Sequence, residues 1–255
     1  MSFIHSLQSE MLKTRRTAAI WMSFIGGFFI PIIYVMYSTY KKESINSLIG
    51  SGMNIWRRHF GWNWENMAPF LLPAGIIMAS SLITQMEYKN NTWKQLHTTP
   101  QSYTTVFLAK FSAILILTFQ FFLFFNIGII LSGVISCLIV DGKMPEESIP
   151  VWYYLKENLK YFIACLPILA IQYLISLRFK NFLVSIGVGL IMLIGTLIAA
   201  PWQHVYTSPY SYPIIRLMPG REFPTGLSPH VMAILYFFLL MAISFLIYIR
   251  RKEKG

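Results

Sequence analysis

The stretch EYKNNTWKQLHTTPQSYTTVFLAK, residues 87–110, decides how the chain is read. It is a polar interruption with one tryptophan, Trp93, and one proline, Pro100, set between two long apolar runs. The whole chain is 55% hydrophobic and only 12% charged, where about 25% charge is normal for a soluble domain. What the interruption is for therefore depends on where the runs lie.

Six windows lack Asp, Glu, Lys and Arg: 17–40, 66–86, 111–140, 161–177, 181–201 and 231–249. Each approaches or exceeds the ~20 residues that a helix needs to cross a ~30 Å hydrocarbon core. None shows strand-like alternation, and a backbone in lipid must satisfy its own hydrogen bonds, so the expectation is helices and not a barrel. The sequence predicts an all-α integral membrane protein with spans over 17–40, 66–86, 103–140, 159–177, 181–201 and 231–249. Residues 1–16 precede the first span, 87–101 form an inner loop and 202–230 an extracellular loop.

The first window follows Lys13, Arg15 and Arg16, yet it is too long for a signal peptide's apolar core and holds Trp21 and Pro31, so it reads as a retained helix. Cys137 and Cys165 sit in apolar windows without metal-ligand spacing and read as packing residues. The third window is too long for one upright span and too short for two, which predicts a tilted helix that projects or bends near Asn126 and Gly128. Basic residues concentrate in the short segments on the side of the N-terminus, including Lys89, Lys94, Lys110, Arg178, Lys180 and the RRKEK tail, which predicts both termini to be cytoplasmic. Juxtamembrane anchoring to anionic lipid accounts for the net charge of +11, and nucleic-acid binding is not expected.

This topology puts residues 87–101 in the cytoplasm. Asn90 or Asn91 can cap a short helix, Trp93 and Leu96 share one face of it, and Pro100 ends it. Such a helix either anchors in a partner's groove or lies in the headgroups with Trp93 at the interface. The run Glu87, Thr92, Lys94, Leu96, Pro100, then Lys110 resembles the E-x4-T-x-K-x-L pattern, followed by proline and lysine, of type-2 ABC export permeases. The N-terminal SEMLKTRRTAAIW, with Glu10 and Lys13, and Pro31 in the first span, is similar to the same family. Within it, the chain looks most like permeases of lantibiotic (bacteriocin) immunity exporters. It departs from the family at Tyr103, where an Arg often follows the Pro-x-Ser.

The resemblance implies that 87–101 is a coupling helix, with Glu87, Thr92, Trp93, Lys94, Leu96 and Pro100 engaging a separate cytoplasmic ATPase, two copies of which carry ATP and Mg. It implies a second permease, identical or a sister chain, and the bacterial cytoplasmic (inner) membrane as location. It also implies that residues 2–16 form an amphipathic elbow helix, with Phe3, Leu7, Glu10, Met11 and Lys13; the four-residue repeat of Phe3, Leu7 and Met11 allows this. A simple basic anchor is the alternative.

No GxxxxGK[ST], HExxH or GxSxG occurs, so the chain is expected to be no enzyme, to bind no cofactor or metal itself, and to have no catalytic residues. The five histidines, at 5, 59, 97, 204 and 230, read as surface polar residues. The apolar windows hold no acid and no central Lys or Arg, which disfavours an ion-driven carrier. Gln120, Asn126 and Gln172 within the spans, with Trp202 beyond them, either line a substrate path or, for the three amides, join helices by hydrogen bonds. Gly128, Ser132 and Ser136 form a small-residue stripe suited to a subunit seam or to internal packing. The aromatic outer segments read as an interfacial belt or an outer gate, and the proline-rich 202–230 as a compact cap. The function expected is the permease of an ATP-driven exporter of a cationic antimicrobial peptide. The alternatives are export of another amphiphile, such as a lipid or drug, and a non-transport scaffold or sensor.

Overall fold

The structure, a computed structural model, describes residues 3–15, 17–41, 54–89, 102–140, 142–145, 147–179, 181–218, 220 and 226–250. Among these the fold is all-helical: α1 (Phe3–Arg15), α2 (Ala18–Tyr40), α3 (Ile55–Met67), α4 (Leu71–Lys89), α5 (Tyr103–Val140), α6 (Val151–Arg178), α7 (Phe182–Ile198), the short α8 (Tyr212–Ile215) and α9 (Pro229–Arg250). Four of them, α2, α5, α6 and α9, are long and apolar enough to cross a membrane, and α3 with α4 makes a fifth if the bent pair is one span. In the most apolar windows of α2 and α9 only 28% and 22% of residues are buried. Side chains such as Trp21, Ile25, Met36, Phe238 and Leu246 point away from the protein. Such surface is stable only against hydrocarbon, and the chain is a multi-pass membrane protein.

The bundle is organised around α5, which packs most extensively on α2 and also meets α1, α3, α4, α6 and α9. Glycines set the approach of α2. A Cβ on Gly27 would stand 2.8 Å from Phe124 Cβ and 3.0 Å from the Phe125 amide nitrogen, and one on Gly128 would stand 2.9 Å from the Pro31 ring. The proline in α2 thus sits in the notch that Gly128 leaves in α5. Ser132 and Ser136 of the same stripe are also buried within this chain, so the stripe packs internally. Both cysteines are buried and unbridged.

Two helices differ from the sequence expectation. The span expected over 66–86 begins earlier as α3, which turns by 55° into α4. The turn falls at Ala68–Pro69–Phe70. Pro69 cannot donate to the carbonyl of Glu65, and the ring of Pro73 crowds the carbonyl of Pro69, so a straight helix is excluded there. Contacts show that α3 descends alongside α5: Trp56 meets Gly133, His59 reaches Ile129, and Trp64 packs on Phe122 and Phe125. Beyond the turn, α4 packs on α6 and α7. The helix expected over 159–177 starts at Val151, because Glu157 and Lys160, which ended the apolar window, are ion-paired on its surface. By contrast, α5 covers the expected 103–140 as one continuous helix of 38 residues, about 57 Å at 1.5 Å per residue. It has no break near Asn126; that amide bonds back to the Phe122 carbonyl at 2.7 Å and across to Asn158. Its far end is covered by α3.

The segment after α7 folds as a cap, with a 3-10 turn at Val205–Thr207 followed by α8, and buries Tyr210 and Tyr212 completely or nearly so. The α2–α5 contact gives a direct test. Gly27→Leu should destabilise the protein by about 1–3 kcal/mol, the usual cost of overpacking a rigid core, read as a lower melting temperature in mild detergent. Gly187→Ala, where an added Cβ meets nothing within 4 Å, should leave it unchanged or raise it.

Candidate functional site

The end of the bundle from which segment 90–101 departs is closed by a buried ion pair. Helix α1 lies along α5 and turns Ser6, Glu10 and Thr14 inward, four residues apart on one face. The expected apolar stripe is not the face that packs: Leu7 and Met11 are half-buried at its flank, and Phe3, Ile4 and Leu12 are exposed. Glu10 accepts from Lys110 Nζ at 3.0 Å and from Lys13 Nζ at 2.6 Å. The Lys110 and Glu10 side chains are only 5% and 6% exposed. Burial pushes the Glu10 carboxyl up, but Lys110 and then Lys13 outweigh it, so it titrates below the ordinary value of 4.5. Thr14 donates to the Glu10 carbonyl at 2.7 Å and closes the helix end.

Between α2, α4 and α5 lies an apolar cavity of about 340 Å³, lined among others by Ser23, Gly26, Phe29, Gly75, Leu117 and Phe121. No atom lies within 4 Å of the place a Gly75 Cβ would take, so the glycine opens the space. Ser23 is one of its two polar side chains, and Gln120 Nε2 donates to it at 3.1 Å.

Behind this wall a buried polar network ties α4, α6, α7 and the cap. Gln172 Nε2 donates to Ser81 Oγ and to the Ser185 carbonyl, both at 3.1 Å, and Gln172 Oε1 accepts from Tyr210 at 2.9 Å. Ser185 bonds Ser81 at 3.0 Å and Ser176 at 2.9 Å. Gly189 makes room, since a Cβ there would lie 2.4 Å from Gln172 Oε1. Asn126 and Asn158 exchange two amide bonds, at 2.9 and 2.7 Å.

The four residues expected on a substrate path are thus not brought together. Gln120 reaches the cavity through Ser23, Asn126 and Gln172 join helices, and Trp202 is exposed beside His204. Of the expected coupling residues, Thr92, Trp93, Lys94, Leu96 and Pro100 lie outside the described residues, as does the side chain of Glu87, whose backbone belongs to the end of α4. His59 is not on the surface. It is buried against Tyr34, with Nε2 2.8 Å from the Ile129 carbonyl and 3.0 Å from Ser132 Oγ. The sequence reading also missed that Glu10 and Lys110 meet across 100 residues; the signal was a lone lysine inside the third helix, facing an acid before the first. Among the described residues no cluster of three or more His, Cys, Asp or Glu is arranged to hold a metal.

A sequence model described as ABC-2 family transporter protein matches residues 6–196, about three-quarters of the chain. No curated protein and no solved structure matches it.

The ion pair generates the next prediction. Glu10→Gln leaves the Lys110 charge buried without its counter-ion and should cost about 3–5 kcal/mol, whereas Glu10→Met with Lys110→Met should recover most of that. Thermal unfolding in detergent reads both. Because the native Glu10 carboxyl titrates below 4.5, its contribution is complete above that pH and is lost as pH falls through the lowered native value. The wild type should therefore lose more stability on acidification than the double Met variant does.

Proposed function

The chain belongs to the ABC-2 family of transporter proteins, and from that premise we propose that it is the permease subunit of an ATP-driven exporter whose ATPase is a separate cytoplasmic chain. The observation that carries this reading is the buried Glu10–Lys110 pair. It fastens α1 to the start of α5, beside the exit of segment 90–101, so that a force applied there is delivered to the central helix of the bundle. Glu87, Thr92, Trp93, Lys94, Leu96 and Pro100 form the handle that the ATPase grips, and α1 is the elbow, its exposed Phe3, Ile4 and Leu12 set into the interface. ATP and Mg belong to two copies of the ATPase. A second permease, identical or sister, completes the assembly.

The six-span count follows if α3 with α4 is one pass and α7 is the sixth, at 17 residues and about 26 Å. Both termini then face the cytoplasm of a bacterial cell. The substrate is an amphiphile. The apolar cavity between α2, α4 and α5 suits its hydrocarbon part, and a cationic antimicrobial peptide of the lantibiotic type is the specific candidate.

Two measurements test this. Single cysteines near Ser51, Thr92, Glu147, Asn181 and Thr225 should label from outside, inside, outside, inside and outside; labelling of Thr92 from outside overturns the topology. Trp93→Ala with Leu96→Ala should abolish export and strip the ATPase from the purified complex while membrane expression holds, since a buried aromatic anchor commonly contributes ~2 kcal/mol or more. Normal co-purification and normal export would overturn the coupling assignment.

A further inference from the structure

At the opposite end of the bundle from Glu10, four ionisable side chains converge. Glu157, in the second turn of α6, accepts from Lys160 at 2.6 Å and from Arg216, which follows α8 in the cap. The Arg216 guanidinium lies 6.0 Å from the centre of the Tyr161 ring. That ring is itself stacked on the fully buried Trp64 with centroids 3.9 Å apart. The support beneath the arginine is therefore rigid. His230, in the first turn of α9, completes the group: it and Arg216 line a cavity of about 220 Å³ with Tyr212, Ile215 and Met218.

Two features of this cavity point to a ligand. One carboxylate faces two permanent cations, Lys160 and Arg216, so the cluster keeps a surplus positive charge. In addition, the Arg216 side chain, 26% exposed, lines the cavity while its Nη2 holds Glu157, and its buried Nε–H has no acceptor among the described residues. A buried donor left unmade is costly, and a guanidinium fork suits tetrahedral oxyanions. The apolar walls favour an oxyanion esterified to an apolar moiety. The volume is below the ~300 Å³ at which pockets begin to take drug-sized ligands, which fits a single headgroup and not a peptide.

We propose that this cap cavity binds the phosphate of an anionic membrane lipid, with the Arg216 guanidinium and His230 as donors and Tyr212, Ile215 and Met218 against the glycerol and upper chain. The site requires only that this end of the bundle meet a membrane surface, and it stands whatever the exporter carries.

The test uses the full-length chain in mild detergent containing equimolar phosphatidylglycerol and phosphatidylcholine, with retained lipid counted by native mass spectrometry. The wild type should keep phosphatidylglycerol over phosphatidylcholine by about tenfold, because the quaternary ammonium of phosphatidylcholine cancels the lipid's net charge and is repelled by the Arg216–Lys160 cluster. Arg216→Gln should abolish the preference, and Arg216→Lys should keep part of it. Arg57→Gln, which removes a cation at the same end that stacks on Tyr153 and does not line the cavity, should behave as wild type. Displacement of the lipid by inorganic phosphate supports recognition of the phosphate group. Phosphate binding that depends on Arg216, without any lipid preference, assigns the same site to the free anion. Should Arg216→Gln not fold, His230→Gln and the cavity-filling Ile215→Trp carry the test, and both should lower retention several-fold. The proposal fails if neither phosphatidylglycerol nor phosphate is preferred by the wild type. It fails equally if Arg57→Gln loses as much as Arg216→Gln, or if His230→Gln and Ile215→Trp change nothing.

Discussion

In hydrocarbon no water competes for polar groups, so each one within the bundle must find its partner in the protein. That constraint explains why the few polar side chains of the spans are where they are. Gln172 uses both ends of its amide, donating to Ser81 and the Ser185 carbonyl and accepting from Tyr210. Asn126 and Asn158 satisfy one another. Such bonds contribute modestly to stability, typically about 0.6 kcal/mol between membrane helices. Their larger effect is on register: a slide of α6 past α4 or α7 would leave several buried groups unmade at once.

Close packing supplies what the sparse polar bonds do not. Gly27, Gly128 and Gly189 each stand where a side chain would collide with a neighbouring helix, and each marks a place where two helices are held at one distance. The aromatic layer does the same at larger scale: Trp64, Phe122, Phe125 and Tyr161 interlock α3, α5 and α6 around a tryptophan with no exposed surface. Both kinds of contact make the half of α5 facing the cap a rigid post, while the α2 and α9 surfaces remain open to lipid.

How much of this was legible beforehand depends on whether a signal was continuous along the chain. Apolar runs are, and so α2, α5 and α9 and the helical class could be read from them. The halves of α3 and α6 carrying Arg57, Arg58, Glu65, Glu157 and Lys160 were not, because an apolar-window criterion rejects a helix whose charges are neutralised by residues far away, as Glu157 is by Arg216 across 59 positions. Pro69 and Pro73 marked a break, yet its 55° angle and the packing of α3 on α5 depend on residues far away in sequence. The repeat of Phe3, Leu7 and Met11 did not tell which face of α1 meets α5: Ser6, Glu10 and Thr14 do, through an ion pair with Lys110, 100 positions away. His59 looked like a surface residue because its acceptors, Ile129 and Ser132, lie 70 or more positions away.

The two ends of the bundle use charge in opposite ways. Next to segment 90–101, Glu10 is shared by two lysines and sealed, with the acid and Lys110 almost fully buried, and the pair joins α1 and α5. At the cap, Arg216 is 26% exposed on its side chain, lines a cavity and, among the described residues, retains a donor without an acceptor. A sealed pair resists separation because parting it strands a charge, whereas a cluster with surplus charge at an accessible surface attracts a counter-ion. The same residue types therefore make a joint at one end and a receptor at the other, and the difference lies in whether the lattice of partners is closed. Between them runs a continuous chain of contacts. Tyr210 of the cap holds Gln172, Gln172 holds Ser81 of α4, and α4 leads directly into the polar interruption at 90–101. A displacement of that segment would therefore act along α4 on a network that also anchors the cap.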